Sequence, residues 1–200
     1  MPEKSDGDGD GLRGREGRSG QGHGEGRAPC YSRDQSLSSN GEDGLDAQTR
    51  LVAESLVVMT EIVLPEDTNA RGSIFGGRVL ALVDKCAAIV AMRHARSQVV
   101  TASLDSVDFR SGVRAGNILV LHGRLNAVFN SSMEIEIEVH SEDPLSGARH
   151  LTTRAFVTMV VMGPQGALAP APRLALVSDD ERKRAAAAAT RRRERIARRA

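Results

Sequence analysis

Between Val79 and Met92 the chain is apolar at almost every position, interrupted only by Asp84-Lys85. A run of this kind opening just after Ser73-Ile74-Phe75-Gly76-Gly77 predicts one buried helix, reaching from the glycine pair to about Ala95. Further on the period changes to two. Met133, Ile135, Ile137 and Val139 alternate with Glu134, Glu136 and Glu138, which predicts a strand from Met133 to His140 with one buried and one wet face. Ser55 to Val63, Val99 to Phe109, Ile118 to Phe129 and Leu151 to Met162 are rich in Val, Ile and Thr and read as the other strands. Turn residues separate them, among them Ser111-Gly112, Ala115-Gly116-Asn117 and Asp143-Pro144-Leu145-Ser146-Gly147.

The order is one strand, one long helix, then four strands in succession. It predicts an α+β fold in which a curved antiparallel sheet of about five strands wraps the central helix. One such sheet leaves an edge and an open face, so pairing with a second copy is the natural remedy.

The flanks differ from this body. Eleven of the twenty glycines lie between Gly7 and Gly44, among scattered Asp, Glu, Arg and Ser, a composition that buries too little apolar surface to fold. We therefore expect a disordered arm over 1–50, a folded domain over 51–175 and a basic helix over 176–200. Ser178 and Asp179-Asp180-Glu181 suit that helix's start and the Arg-rich end suits its negative pole. Formal charge is −3, −1 and +5 for residues 1–50, 51–178 and 179–200. The basic excess is thus confined to the tail, the body carries no nucleic-acid footprint, and a nucleic-acid partner is not expected. A solvated helix that docks on the body is the plain reading of the tail.

Cys30 falls in the arm and Cys86 in the helix, poorly placed to pair, which points to a reducing compartment. No signal-peptide pattern opens the chain and no apolar run is long enough for a membrane helix. The expectation is a cytoplasmic protein. No spacing of histidines and cysteines suggests a metal, no nucleophile-elbow motif occurs, and the Gly9 to Gly14 dinucleotide-like fingerprint has no strand before it.

That leaves Asp84 as the residue with chemistry to explain. Its neighbours one turn away, Leu80, Ala81, Ala87 and Ala88, cannot neutralise it, and Lys85 points about 100° around the axis. Its partner comes from elsewhere in the fold, or the carboxylate is a tuned base.

Pro65 to Asn69, Gly72 to Gly77, Asp84 to His94, Val99 to Ser103 and Ser132 to Ile135 together resemble the hotdog-fold acyl-CoA thioesterases. The closest likeness is to the brain-type cytosolic acyl-CoA hydrolases and their single-domain bacterial relatives, and it spans roughly residues 54–195. The resemblance implies hydrolysis of fatty acyl-CoA to free fatty acid and CoA, with coenzyme A part of the substrate and no separate cofactor or metal. It implies a homodimer as minimal unit, often three dimers in a hexamer, with the thioester at the dimer interface. By position, Asp84 matches the catalytic carboxylate, Asn69 the polar partner supplied across the interface, and Gly77 a backbone N–H donor to the carbonyl oxygen. Gly76 lies beside it, and the free N–H groups of a helix start suit a developing oxyanion. Asp84 would act as general base toward water or as nucleophile. Arg93, Arg110, Arg114 and Arg149 are candidates for the phosphates of CoA, and Asn130, Ser131 and Ser132 match a stretch near the nucleotide. A non-catalytic acyl-CoA sensor on the same scaffold is the alternative, and a hotdog dehydratase would need a catalytic His that no position here matches.

Overall fold

The structure, a computed structural model, describes residues 48–198. The expected arm falls outside them except at its end. There Thr49 and Arg50 join Leu51, the first residue of the expected domain, in a short strand β1 (Thr49–Leu51). After it come β2 (Val57–Ile62), α1 (Gly76–Ala95), β3 (Gln98–Phe109), β4 (Ile118–Val128), β5 (Ser132–Glu142), β6 (Arg149–Met162), β7 (Arg173–Ala175) and α2 (Asp179–Ala197). Five strands make one antiparallel sheet in the order β2-β4-β5-β6-β3, and β1 pairs β7 in parallel as a separate ribbon. The α+β expectation of one long helix, a five-stranded antiparallel sheet and a C-terminal helix is met. Three-residue strands carry no period, which is why the ribbon is invisible in sequence.

Helix α1 buries Val79, Leu82, Val83, Cys86, Ala87, Val90, Ala91 and His94, a stripe at helical spacing. It packs on Leu119, Leu121, Ile135, Ile137 and Val157, the inward residues of the sheet. The two surfaces meet most closely at Gly123, where an added Cβ would lie 2.7 Å from Val90 Cγ2 and 2.9 Å from Cys86 Sγ. The helix ends at Arg96, whose N–H closes the last turn onto Met92 O at 2.8 Å and whose left-handed backbone (φ 50°) turns the following chain out of the helix.

The wet face expected for β5 is corrected. Glu134 is 0% exposed and Glu136 6%, because α2 lies across the outer side of the sheet. Arg191 grips Glu134 at 2.6 Å, Arg184 grips Glu136 at 2.6 Å, and Arg195 grips Asp105. These arginines recur seven and four residues apart, on one face of a helix. Alternation says which side of a strand turns from the helix beneath it, not what covers that side. Ser178 starts α2 as expected, and it does so with a reciprocal cap, its hydroxyl accepting from Glu181 N while Glu181 accepts from Ser178 N.

Strand β3 is a sheet edge, paired only with β6. It carries exposed Val100 and Leu104, and bulges interrupt it at Thr101/Ser103 and Asp105/Asp108, with Ser106 at φ 40°. A long edge strand with apolar side chains is a surface that wants a partner.

Candidate functional site

Three elements converge at the start of α1. The loop before it is a tight device. Asn69 Oδ1 accepts from Arg71 N at 2.8 Å and Ser73 N at 3.4 Å, while Gly72, at φ +72°, turns its N–H onto Asn69 O. Ile74 N donates to Val113 O and Phe75 N to Asp67 O, so the chain enters the helix in a fixed direction. Arg78 from the first turn spans Asp67 and Glu61 at 3.0 and 2.9 Å, tying loop, helix and β2 together.

The N-cap residue is Phe75, which has no side chain able to cap. The N–H groups of Gly76 and Gly77 therefore have no acceptor among the described residues, and the helix start keeps its partial positive charge. A Cβ on Gly77 would meet nothing within 4 Å, so an incoming group reaches that backbone freely.

Asp84 lies about two turns further on. It sits on the flank of the buried stripe and is half-buried, less enclosed than the sequence suggests. Its partner is neither an arginine nor a lysine. Thr101, on the edge strand, donates its hydroxyl to Asp84 Oδ1 at 2.5 Å, and the same hydroxyl rests 3.3 Å from Met159 Sδ. No other hydrogen bond or ion pair reaches the carboxylate among the described residues. One oxygen is thus oriented and the other is free. Thr101 escapes sequence reasoning as a functional residue because a threonine in a strand is an ordinary strand former; only its place in the Val99 to Ser103 block singles it out.

The remaining candidates separate. Asn69 and Gly76 share one open hollow of about 380 Å³, together with Arg110, while Asp84 is not among its walls. Arg93 stands at the far end of α1, where its guanidinium donates to Leu56 O at 2.6 Å; it is not brought to Asp84 or Gly77. Arg149 pairs with Glu142 at 2.7 Å at the β5–β6 turn, and Arg114 bridges Ser73 through its backbone. Asn130, Ser131 and Ser132 form the β4–β5 turn, where the backbone oxygens of Asn130 and Ser131 accept from Ala171 N and Val161 N. Asn130 also lines a second open groove, of about 700 Å³, with Arg173.

Other reactive groups stand apart from this chemistry. Burial pushes the Cys86 thiol up to about 11, so it stays a protonated core side chain. His94 faces Pro172 O through Nε2 at 2.9 Å, and burial pushes its pKa down. No histidine lines the hollow beside Gly76, and no cluster fit to hold a metal ion occurs among the described residues.

Residues 71–148 match the thioesterase superfamily. An uncharacterized acyl-CoA thioester hydrolase of Bacillus subtilis is 39% identical over 127 residues, 64% of this chain and 74% of that protein. The human cytosolic acyl coenzyme A thioester hydrolase is 34% identical over 68% of this chain, which spans 36% of the human protein's length. Among solved structures, an apo-hexameric acyl-CoA thioesterase superposes with a TM-score of 0.73 at 43% identity, covering 76% of this chain and 98% of that one. The acyl-CoA hydrolase of Staphylococcus aureus, solved with butyryl coenzyme A and coenzyme A, gives 0.71 at 34% identity over 76% of this chain and 92% of its own.

Proposed function

The chain belongs to the acyl-CoA hydrolases of the thioesterase superfamily, and we propose that it cleaves fatty acyl-CoA to free fatty acid and CoA at a site shared by two copies. The observation that carries this reading is Asp84. It is the one carboxylate on α1, unpaired with any cation among the described residues and aimed by a single hydroxyl. A structural acid would be neutralised; a working one is held and left reactive.

Spacing supports the choice of residues. The Staphylococcus aureus hydrolase has been solved with an asparagine, an aspartate or a threonine replaced by alanine, three residues that follow one another at separations of 15 and 17. Asn69, Asp84 and Thr101 stand at the same separations here.

In this reading the thioester oxygen lies on Gly77 N–H, a donor of the kind worth roughly 3 kcal/mol in other enzymes. Asp84 takes a proton from water as the water oxygen bonds to the carbonyl carbon; collapse of the intermediate breaks the C–S bond and the proton passes to the CoA sulfur. Direct attack by Asp84, giving a mixed anhydride, uses the same geometry. Asn69 orients the water from the neighbouring copy. Two features favour a shared site: Asn69 and Asp84 do not line a common hollow within one chain, and Asp84 is bonded to the edge strand β3 on which a second copy would pair. Three such dimers give the hexamer, the assembly named for one solved relative. No helix among the described residues is long and apolar enough to cross a membrane.

Thiol release from a panel of acyl-CoA lengths tests the reading. The parent protein turns over, and Asp84→Asn loses about a hundredfold or more in kcat. Absence of turnover with every acyl-CoA overturns it.

A further inference from the structure

Phe109 ends β3, and its ring is aimed at the first turn of α1. A Cβ built on Gly76 would stand 3.4 Å from the ring's Cζ and 3.7 and 3.8 Å from its two Cε atoms. The ring is still 51% exposed. Only five aromatic residues occur in the whole chain, four Phe and one Tyr, and two of them, Phe75 and Phe109, stand half-exposed beside the unpaired N–H groups of Gly76 and Gly77. Exposed rings gathered around backbone donors mark a place where something apolar is received.

The hollow of about 380 Å³ opens at this point. Phe109 is one of its walls, and Ile74, Val79 and Val113 are its other apolar walls. Its surface also includes Thr152 and Thr153, both buried. Thr152 turns its hydroxyl to Val139 O at 2.9 Å, so it asks nothing of a ligand.

We propose that Phe109 is a specificity-determining residue: its ring is the wall along which the acyl chain runs from the Gly77 donor into this hollow, and it sets how steeply turnover rises with acyl length. The inference rests on the reading of the chain as an acyl-CoA hydrolase with its oxyanion donor at Gly77. Each methylene laid against the ring and the facing aliphatic walls raises kcat/KM about fourfold, until the chain reaches the buried threonines.

The test is kcat/KM for acetyl-, butanoyl-, hexanoyl- and octanoyl-CoA with the parent full-length protein, Phe109→Ala and Phe109→Leu. The parent is expected to gain with length. Phe109→Ala is expected to flatten the dependence to less than twofold per methylene, lowering the octanoyl-to-acetyl ratio at least tenfold. Phe109→Leu, which keeps apolar bulk and guards against a folding defect of the alanine variant, is expected to hold an intermediate slope. Equal loss at every length, or an unchanged slope in both variants, overturns the proposal while leaving the hydrolase reading intact. A parent that releases thiol from no acyl-CoA removes the hydrolase reading itself, a separate result.

Discussion

Replacing Arg191 by Met should destabilise the protein far more than a surface arginine usually does. Arg191 meets Glu134 with two nitrogens, Nη2 at 2.6 Å and Nε at 3.2 Å from both carboxylate oxygens, and it stacks 3.8 Å above the Phe156 ring. Glu134 has no exposed surface, and its only other partner among the described residues is Asn126 Nδ2 at 3.5 Å. Removing the guanidinium strands a buried charge, a loss of about 3–5 kcal/mol when the site stays dry. Arg191 is itself 24% exposed, so water can follow its removal, and the low end, about 3 kcal/mol, is the figure to expect. Glu134→Leu combined with Arg191→Met removes both charges and should return to within about 1 kcal/mol of the parent, because desolvation offsets most of the attraction in such a pair. Urea unfolding of the parent, Arg191→Met, Glu134→Leu and the double variant at fixed protein concentration gives the four values, and the double-mutant cycle should report coupling of about 2 kcal/mol or more. A loss below about 0.5 kcal/mol for Arg191→Met would refute the reasoning, since it would mean that Glu134 is hydrated and α2 stands away from the sheet.

Other outcomes follow from single positions. Gly123→Ala places a methyl 2.7 Å from Val90 and 2.9 Å from Cys86 and should cost about 1–3 kcal/mol of stability in thermal or urea unfolding. His94 titrates below its usual 6.5 in the folded state because it is buried, so the unfolded chain binds the extra proton first and stability falls as pH drops below 6.5. His140 is shifted the same way by burial and by His122; His94→Gln should therefore reduce, not abolish, the slope of unfolding free energy against pH in that range. Cys86, with its thiol held at about 11, should react with a maleimide only at the rate of unfolding, measured by mass spectrometry of the labelled core peptide.

Long periodic segments could be read directly from the residues. The apolar run gives α1 and the Met133 to Val139 alternation gives β5, because each buries one face over many residues and the period survives local variation. The β1–β7 ribbon could not be read, since it joins two three-residue pieces more than a hundred residues apart. The covering of Glu134 and Glu136 was hidden for a different reason. Their partners lie on α2, so the pattern of β5 taken alone is that of a solvated strand. At the site, Asp84 stands out because a carboxylate on an apolar helix violates the local pattern. Thr101 and Phe109 do not stand out, because each obeys the pattern of the strand that carries it, and their meaning arises only where β3 passes α1. The apolar-run reading also overstated the burial of Asp84: the sheet encloses only one side of α1, leaving Lys85 and Met92 exposed.

The claim at the centre of this account is that Asp84 of one copy works with Asn69 of another, and mixed oligomers test it most directly. Asp84→Asn and Asn69→Ala chains carrying different tags are co-expressed, the mixed species is isolated through both tags, and thiol release from acyl-CoA is compared with each variant alone. A dimer combining the two has one site carrying both defects and one site carrying neither, so turnover near half that of the parent is expected, against near-background rates for the separate variants. Mixed dimers as inactive as their components would place both residues in a site within one chain and contradict the shared site.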